Sequence, residues 1–530
     1  MAKKARSKSP DRSQPRRFEF VGGSSEKFWT IWLEDESHTV QYGRLGTLGQ
    51  TKTKEFDDRD QAEESYGKLV AEKLKKGYEE QFPPTAAELK REKKKHEPFL
   101  KEILADPDDP QPYAVYGDWL AEQGDPRGEF IQVQLQLEDE SLSGAERKEL
   151  RKREKQLLAR HEETWLGSLA PLLLENPTVA SGGYSARQRS NFTYRFERGF
   201  LASLRVARLY VPVARAIRDA EQTKFLRELT IENIEHYWDP NSEYAEEESE
   251  YAYELGDDVP TWEKDRIQFV SVFPLLGVKE FSCLHSFQVG FIGEDETWTK
   301  TPATSRPGDC HCYCNPASDL VEKMPRLRHL DLLCKDFDVH AIFKSRKLNQ
   351  LKSLRIYHLG NQGADRQERQ QYEYPLELLA KNKAFANLEA LAFHPHYEEY
   401  HGRYPDHASF LPLEQIQPLL KSKHLTKLSR LQLRLSDMGD EGCQAIVDSG
   451  ILKQLKWLDL RHGEITDKGA HILAECPDLK NLEYLDLARN GLTKEGVRAL
   501  RQTKIKFQAE NQLTPTQLEE QEYLQDGDFE

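Results

Sequence analysis

The segment Leu428-Ser429-Arg430-Leu431-Gln432-Leu433 recurs twice at intervals of 27 residues, as 455–460 and 482–487. A glycine follows each copy at the same distance, at Gly442, Gly469 and Gly496. The alternating leucines predict short strands that bury one face, and the second half of each unit, such as residues 468–475, has the apolar spacing of a helix. Because one such unit cannot bury its own leucines, the pattern predicts a stack of neighbouring units.

Weaker copies of this segment lie upstream, clearly at 327–332, 351–356 and 388–393, and less clearly around Leu204, Leu229 and Leu284. The pattern resembles leucine-rich repeats of the ribonuclease-inhibitor class. The resemblance implies an α/β leucine-rich-repeat solenoid with a parallel concave sheet over residues 201–511. Such a concave face is wide enough for a folded partner.

The side chains that alternate with the buried leucines form a candidate partner-binding row. Since successive strand residues point to opposite faces, the outward set from the three best copies includes aromatic and charged side chains. Aromatic anchors beside arginine are typical of binding hot spots. The alternative is that exposed strand residues vary freely and Trp457 covers a rim. The candidate residues are Arg430, Arg434, Trp457, Asp459, Arg461, Tyr484 and Asp486.

A small α+β domain is predicted over residues 18–80. Short strands are expected at 18–20, 27–32 and 39–42, and a helix at 60–76. Tyr42-Gly43-Arg44-Leu45-Gly46-Thr47-Leu48-Gly49-Gln50, with Lys27–Ile31 before it and Lys73–Tyr78 after it, resembles a WGR domain over almost its whole length. The signature tryptophan is Tyr42 in this chain.

In poly(ADP-ribose) polymerases the WGR domain packs near a DNA end. The resemblance therefore implies that Tyr42 stacks on nucleic acid and that Arg44 relays contacts to neighbouring domains. Lys52 and Lys54 are further candidate nucleic-acid-binding residues. The alternative reading makes Tyr42 an ordinary strand residue and Arg44 an ion-pair partner of the acidic cluster at 57–60. No segment of the chain resembles an ADP-ribosyltransferase, so the module occurs here without that enzyme.

The middle of the chain is predicted to be helical. A basic helical linker spans residues 81–97, with its helix from Ala86 ending before Pro98, and a mainly helical domain follows at 98–200. Tyr116-Gly117-Asp118-Trp119-Leu120 and Gly124–Ile131 resemble the repeat-companion domain of bacterial, planctomycete-type modular proteins, for which no activity is established. Asp118 and Glu122 are one helical turn apart, as a general acid and base would be, but solvated carboxylates share this spacing.

Charge is distributed unevenly over the 530 residues, whose formal net charge is −15. Residues 1–95 carry 21 Lys+Arg and 17 Asp+Glu, so the remainder has a net charge of −19. Residues 1–17 are expected to form a disordered basic arm, and residues 512–530 an acidic tail. The seven scattered cysteines favour a reducing, cytoplasmic setting, and no apolar run is long enough to span a membrane.

Two cysteine- and histidine-rich segments raise the question of metal binding. The spacing of Cys310-His311-Cys312-Tyr313-Cys314 is too tight for a usual zinc knuckle, and a fourth ligand would have to be Cys283 or His285. His394, His396, His401 and His407 form the second segment. We predict no metal and no cofactor. The tyrosine- and tryptophan-bearing segment 235–265 holds 12 acids and one base, which suits either a solvated loop or a loop that docks on a basic partner.

The sequence contains no phosphate-binding loop, nucleophile elbow or dinucleotide fingerprint. It therefore predicts a multidomain, non-enzymatic adaptor that binds a protein partner through the leucine-rich repeats, without a small-molecule substrate or a membrane. The alternative is a nucleic-acid-binding protein whose WGR module and basic arm contact DNA while the repeats recruit a partner. A hydrolase hidden in the helical domain ranks last.

Overall fold

The computed structural model describes residues 15–22, 25–45, 49–81, 86–180, 188–234, 272–290, 312, 314, 316–334, 337–356, 375–393, 411–434 and 436–519. The chain divides into two compact units, of which the first comprises residues 1–170 with 197–199 and the second the remainder. Most of the basic arm, the acidic segment 235–265, the histidine-rich segment and most of the acidic tail lie outside the described residues. Within those residues, no helix combines the length and apolarity needed to cross a bilayer.

The first unit begins with a five-stranded antiparallel sheet in the order β4-β3-β2-β1-β5. Its elements are β1 (Arg16–Gly22), β2 (Ser25–Glu34), β3 (Ser37–Arg44), β4 (Gln50–Glu55), α1 (Arg59–Lys75) and β5 (Glu79–Gln81). Strand β4 was absent from the sequence prediction, because its six residues are all exposed polar side chains that give no alternating pattern. The predicted WGR-like β domain is therefore present, with two further strands, β4 and β5, one at each edge of the sheet.

The core of this sheet lies between its inner face and α1. Phe18, Trp29, Ile31 and Tyr66 are buried there, and Tyr42 packs against them from its position opposite Trp29. Gly49 is required beside this contact. It has φ of +68°, and a Cβ atom there would lie 2.6 Å from both the Phe28 ring and the Tyr42 carbonyl oxygen.

Four helices complete the first unit, namely α2 (Ala86–Ala105), α3 (Pro110–Glu122), α4 (Pro126–Leu137) and α5 (Gly144–Leu166). The prediction that a helix ends before Pro98 is wrong, because α2 continues through this proline. Asp109, Asp125 and Ser143 cap α3, α4 and α5 with side-chain oxygens that accept backbone N–H groups.

The second unit is dominated by an eleven-stranded sheet in which β8 to β18 follow one another in chain order, and registers from β9 to β18 are parallel. Residues 171–196 lie in this unit, although the sequence analysis grouped them with the helical domain. The strands are β6 (Thr178–Ala180), β7 (Gln188–Ser190), β8 (Phe192–Glu197), β9 (Phe200–Val206), β10 (Glu228–Ile231), β11 (Ser286–Val289), β12 (His329–Leu332), β13 (Ser353–Ile356), β14 (Ala390–Phe393), β15 (Arg430–Leu433), β16 (Trp457–Asp459), β17 (Tyr484–Asp486) and β18 (Phe507–Gln508).

Short helices precede or follow these strands, as an α/β repeat requires. They are α6 (Ala170–Glu175), α7 (Val211–Asp219), α8 (Ala317–Val321), α9 (Val339–Lys344), α10 (Leu376–Lys381), α11 (Leu413–Leu420), α12 (Gly439–Ser449), α13 (Asp467–Glu475), α14 (Lys494–Gln502) and α15 (Pro515–Glu519). The C-terminal region is therefore a parallel-sheet α/β structure consistent with leucine-rich repeats.

The inward leucines of the repeat stack on one another. Leu431, Leu458 and Leu485 occupy equivalent positions in β15, β16 and β17, and each is completely buried. The same row continues through the weaker copies at Leu330, Leu354 and Leu391. These parallel registers confirm the prediction that the segments form neighbouring parallel strands. The strands must stack because no single strand could cover its own leucines.

Aspartates at the helix starts link the last three repeats of the strong copies to one another. Asp467 accepts the backbone N–H groups of Thr493 at 2.8 Å and Gly496 at 2.9 Å. Asp440 holds Thr466 and Gly469 in the same way, 27 residues earlier. The periodic glycines leave the space for these carboxylates, since a Cβ atom on Gly496 would lie 2.3 Å from Asp467 Oδ1.

Candidate partner-binding face of the parallel sheet

The structure brings the predicted row together on strands β15 to β17. Trp457 lies opposite Arg430 on one side and Tyr484 on the other, and Asp459 lies opposite Asp486. Residues one repeat interval of 27 apart thus lie side by side on neighbouring strands.

The prediction that the whole row is exposed is wrong. Arg434, Asp459, Tyr484 and Asp486 are 3%, 0%, 6% and 1% exposed, whereas Arg430, Trp457 and Arg461 remain partly accessible. Four of the seven candidate residues are thus inside the protein. The alternation of side chains along a strand states which face a residue occupies, but it does not state whether that face is covered.

The buried charges of the row neutralise one another. Asp459 Oδ2 accepts from Arg434 Nε at 3.0 Å and from Arg461 Nη2 at 2.9 Å. Arg461 Nε also lies 3.4 Å from Asp486 Oδ2, and Asp486 Oδ1 accepts the Ala488 N–H at 2.9 Å. The result is an Arg–Asp–Arg–Asp chain across three strands, which we call the charge ladder. Such a ladder is tolerated inside a protein only when every member keeps its partners.

Burial shifts the acid–base behaviour of this ladder. It raises the pKa of Asp486 above its usual range, against the opposing effects of the Ala488 N–H and Arg434. It also raises the pKa of Tyr484, with the negative charge of Asp486 as the next contribution. The Tyr484 hydroxyl therefore stays protonated, and it can donate to Gln508 Oε1 at 2.7 Å or to Asp486 Oδ2 at 3.1 Å.

A cation–aromatic strip lies next to the ladder, at the start of the strands. The rings of Trp457 and Tyr484 stack with centroids 5.6 Å apart, and Lys506 Nζ lies 5.6 Å from the Tyr484 ring centroid. Arg430 continues the strip on the other side of Trp457. Lys506 was missed in the sequence because β18, the strand that directly follows it, has no Leu-x-x-Leu-x-Leu pattern.

A buried polar pair lies just beyond the ends of β15 and β16. His462 is 6% exposed with φ of +53°, and neither of its ring nitrogens has a hydrogen-bond partner in the described structure. The Ser436 hydroxyl, also buried, is equally unpaired among the described residues. Burial, with Arg489 and Arg434 nearby, lowers the pKa of His462 to about 3. His462 is thus held neutral beside the ladder.

The candidate nucleic-acid residues lie on β3 and β4 of the first unit. Tyr42 is half-buried against the domain core, its hydroxyl lies 3.4 Å from Gln50 Oε1, and Lys52 Nζ lies 5.9 Å from its ring centroid. Lys54 Nζ lies 4.8 Å from the Phe56 ring, and Arg44 is exposed. The tyrosine thus has one face in the core, while the three cations lie at or near the edge strand.

The carboxylate pair of α3 lies on the surface. Asp118 and Glu122 are exposed, and Asp118 Oδ1 accepts Gln132 Nε2 at 2.7 Å. Nearby Glu129 pairs with Arg153 through contacts of 2.5 and 2.6 Å. Asp118 and Glu129 therefore have structural partners.

The cysteines described by the structure are free thiols, and five of the six are buried: Cys283, Cys312, Cys314, Cys334, Cys443 and Cys476. Across the described ranges no group of three or more His, Cys, Asp or Glu side chains is arranged to hold a metal ion. Cys310 and His311, and the four histidines at 394–407, fall outside those ranges.

Comparison with known proteins identifies two modules in the chain. The model of the WGR domain family matches residues 15–84, and the model of a leucine-rich-repeat family matches residues 424–447 and 478–500. The chain therefore contains a WGR domain and leucine-rich repeats.

Two Escherichia coli (strain K12) proteins are similar to short parts of the chain. Uncharacterized protein YfeS is 45% identical over 65 residues, which is 12% of this chain and 27% of that protein. Protein YehF is 38% identical over 66 residues, 12% of this chain and 24% of that protein. The chain thus spans about a quarter of the length of these relatives. A crystal structure of a Bacteroides fragilis protein is 18% identical in sequence. Its superposition covers 93% of this chain and 95% of that chain, with a TM-score of 0.33.

Proposed function

We propose that this protein is a non-enzymatic, cytoplasmic adaptor whose leucine-rich repeats form a solenoid and bind a protein partner through its concave face. The observation that supports this proposal most directly is the stacked Trp457–Tyr484 pair, flanked by Arg430 and Lys506. A half-exposed tryptophan between an arginine and a stacked aromatic ring is the kind of side chain that carries binding energy in protein interfaces.

The charge ladder gives this face its rigidity in the proposal. Because Arg434, Asp459, Arg461 and Asp486 hold one another across β15 to β17, the aromatic strip beside them is pre-organised. A rigid face loses less conformational entropy on binding than a mobile one. We propose that Arg430, Trp457 and Lys506 contact the partner, and that Asp459 and Asp486 hold this strip in position.

The test uses the full-length chain with a single substitution in the strip. Cross-linking capture from the native host supplies a partner, and titration calorimetry with that purified partner measures affinity. Trp457→Ala is expected to weaken binding by about 2 kcal/mol, or roughly 30-fold. Trp32→Ala, a half-exposed tryptophan of the first unit, is the matched control and should bind normally. Equal affinity of Trp457→Ala and wild type would show that the cation–aromatic strip does not contact the partner.

The second candidate function is nucleic-acid binding by the WGR domain with the basic arm. It is favoured by Tyr42 beside Lys52, since an aromatic ring and a lysine serve base stacking and phosphate contact respectively. Titrating labelled duplex DNA at several salt concentrations tests it. If Tyr42→Ala combined with Lys52→Gln and Lys54→Gln leaves both affinity and salt dependence unchanged, this site is not used.

The helical segment of the first unit resembles the repeat-companion domain, and we propose no chemistry for it. Asp109 and Asp125 cap helices, Asp118 accepts from Gln132, and Glu129 pairs with Arg153, which supports a structural role. A hydrolytic role would require an activity that Asp118→Asn abolishes.

A further inference from the structure

Helix α5 carries an unusual charge for this chain. Residues 144–160 hold seven Lys+Arg and three Glu, a net charge of +4, within a protein whose net charge is −15. The helix begins with a complete capping box, in which Ser143 and Glu146 bind each other's backbone N–H groups. It is therefore a well-defined rod on which basic side chains are displayed.

The basic side chains of α5 differ in their partners. Two arginines bind other elements, since Arg147 donates to the carbonyl oxygens of Leu137 and Asp139 at 2.8 Å each, and Arg153 binds Glu129 through two contacts. Arg151 pairs only with Glu154 of the same helix among the described residues, and Arg160 is exposed. Lys148 and Lys155 have no ion-pair partner among the described residues, and Lys152 has one exposed contact of 3.4 Å, with Glu149.

The three lysines form a single stripe. At 3.6 residues per turn, Lys148, Lys152 and Lys155 lie within an arc of roughly 60°. Leu157 lies on the opposite side of the helix and is buried. The residues around these lysines on the same side of α5 are all exposed: Ala145, Glu149, Arg151, Gln156 and Ala159. We call this face the lysine stripe.

The chemistry of the stripe favours a phosphate backbone over an acidic protein. Its apolar members are only Ala145 and Ala159, whereas protein interfaces depend on large buried anchors. Lysine ammonium groups are point charges that contact phosphates without sequence preference. Seven residues of helix span roughly 10 Å, and each strand of a duplex carries one phosphate per ~3.4 Å of its axis.

We propose that the lysine stripe of α5 binds the sugar–phosphate backbone of duplex nucleic acid, independently of base sequence. This inference and the second candidate function share only the premise that the protein binds nucleic acid. They place the contact on different elements, the inference on α5 and the second candidate function at Tyr42. It does not depend on the protein partner of the repeats.

The experiment measures the anisotropy of a labelled 25-base-pair duplex with the full chain between about 50 and 200 mM salt. Each lysine that contacts phosphate contributes about one unit to the slope of log affinity against log salt. The triple substitution Lys148→Gln, Lys152→Gln and Lys155→Gln should lower that slope by roughly two to three units and weaken binding at least ~10-fold at low salt. Replacing the same lysines by arginine should preserve binding.

Three comparisons can overturn the proposal. A matched control with the same charge change on exposed lysines of the second unit, Lys453→Gln, Lys480→Gln and Lys494→Gln, should bind like wild type, and an equal loss would show a net-charge effect. Loss of binding only in the Tyr42, Lys52 and Lys54 variant would support the second candidate function and show that the lysine stripe does not bind DNA. Absence of wild-type binding at 50 mM salt, or equal competition by poly-glutamate at matched charge, would also refute it.

Discussion

Charged side chains have opposite roles in the two units. In the parallel sheet, Arg434, Asp459, Arg461 and Asp486 are packed against one another and contribute little to the exposed surface. On α5, Lys148 and Lys155 are exposed and have no ion-pair partner in the described structure. The comparison shows that residue type does not decide whether a charge is structural or available for binding, because burial and pairing decide it.

The largest expected effect comes from breaking the charge ladder. Asp459→Asn keeps the shape of the side chain but leaves the buried Arg434 and the partly accessible Arg461 without their shared carboxylate. Removing one partner of a buried ion pair costs about 3–5 kcal/mol. The measurement is hydrogen exchange of peptides from β15 to β17 in the full chain.

The control for this substitution is Asp448→Asn, which lies on an exposed face of α12 and accepts only from Gln444. Its effect should stay within about 0.5 kcal/mol. A loss below about 1 kcal/mol for Asp459→Asn would mean that the ladder is as dispensable as a surface pair.

The next effect is a pH dependence at the ladder. His462 is held neutral in the folded state with a pKa of about 3, below its ordinary value of 6.5. The unfolded chain therefore binds the proton first, so this contribution is present above pH 6.5 and is lost as pH falls towards 3. Between pH 7 and pH 5 the loss is about 2 kcal/mol.

The measurement for His462 is urea unfolding at both pH values. His462→Asn tolerates the positive φ and should flatten the wild-type difference. His471→Asn, an exposed histidine on α13, is the control and should retain the full dependence. Identical pH profiles for wild type and His462→Asn would contradict the burial argument.

The repeat was predictable because its signal is redundant. Leu431, Leu458 and Leu485 recur at a fixed interval and each needs the next to be covered, so periodicity predicted both strand and neighbour. The site was predictable only in part. Alternation gave the row containing Trp457 and Asp459, but the burial of Asp459 depends on Arg434 and Arg461, whose pairing is a property of three dimensions.

Other features left no local signal. Strand β4 is polar throughout and is recognisable only from its pairing with β3. Helix α2 passes through Pro98, where the proline rule predicts an end. Lys506 joins the aromatic strip from the position before β18, a two-residue strand that no pattern predicts.

Within α5 the comparison sharpens to neighbouring residues. Arg147→Gln removes the donors to the Leu137 and Asp139 carbonyl oxygens and is expected to cost roughly 1–2 kcal/mol. Hydrogen exchange at the end of α4 measures it. Arg160→Gln, an exposed position with the same charge change, should cost little. If both substitutions have the same effect, helix charge rather than the carbonyl contacts explains the loss.

The smallest expected effect on stability belongs to the lysine stripe. Lys148→Gln, Lys152→Gln and Lys155→Gln together should change the free energy of unfolding by no more than about 0.5 kcal/mol, because these side chains are exposed and glutamine has a similar helix propensity. Urea unfolding of the full chain measures this change. A loss above about 1 kcal/mol would mean that the lysines stabilise the helix. The contrast with Asp459→Asn would then fail, because the charges of both regions would be structural. Weaker DNA binding by the lysine variant would then be explained by unfolding of α5 and not by lost phosphate contacts.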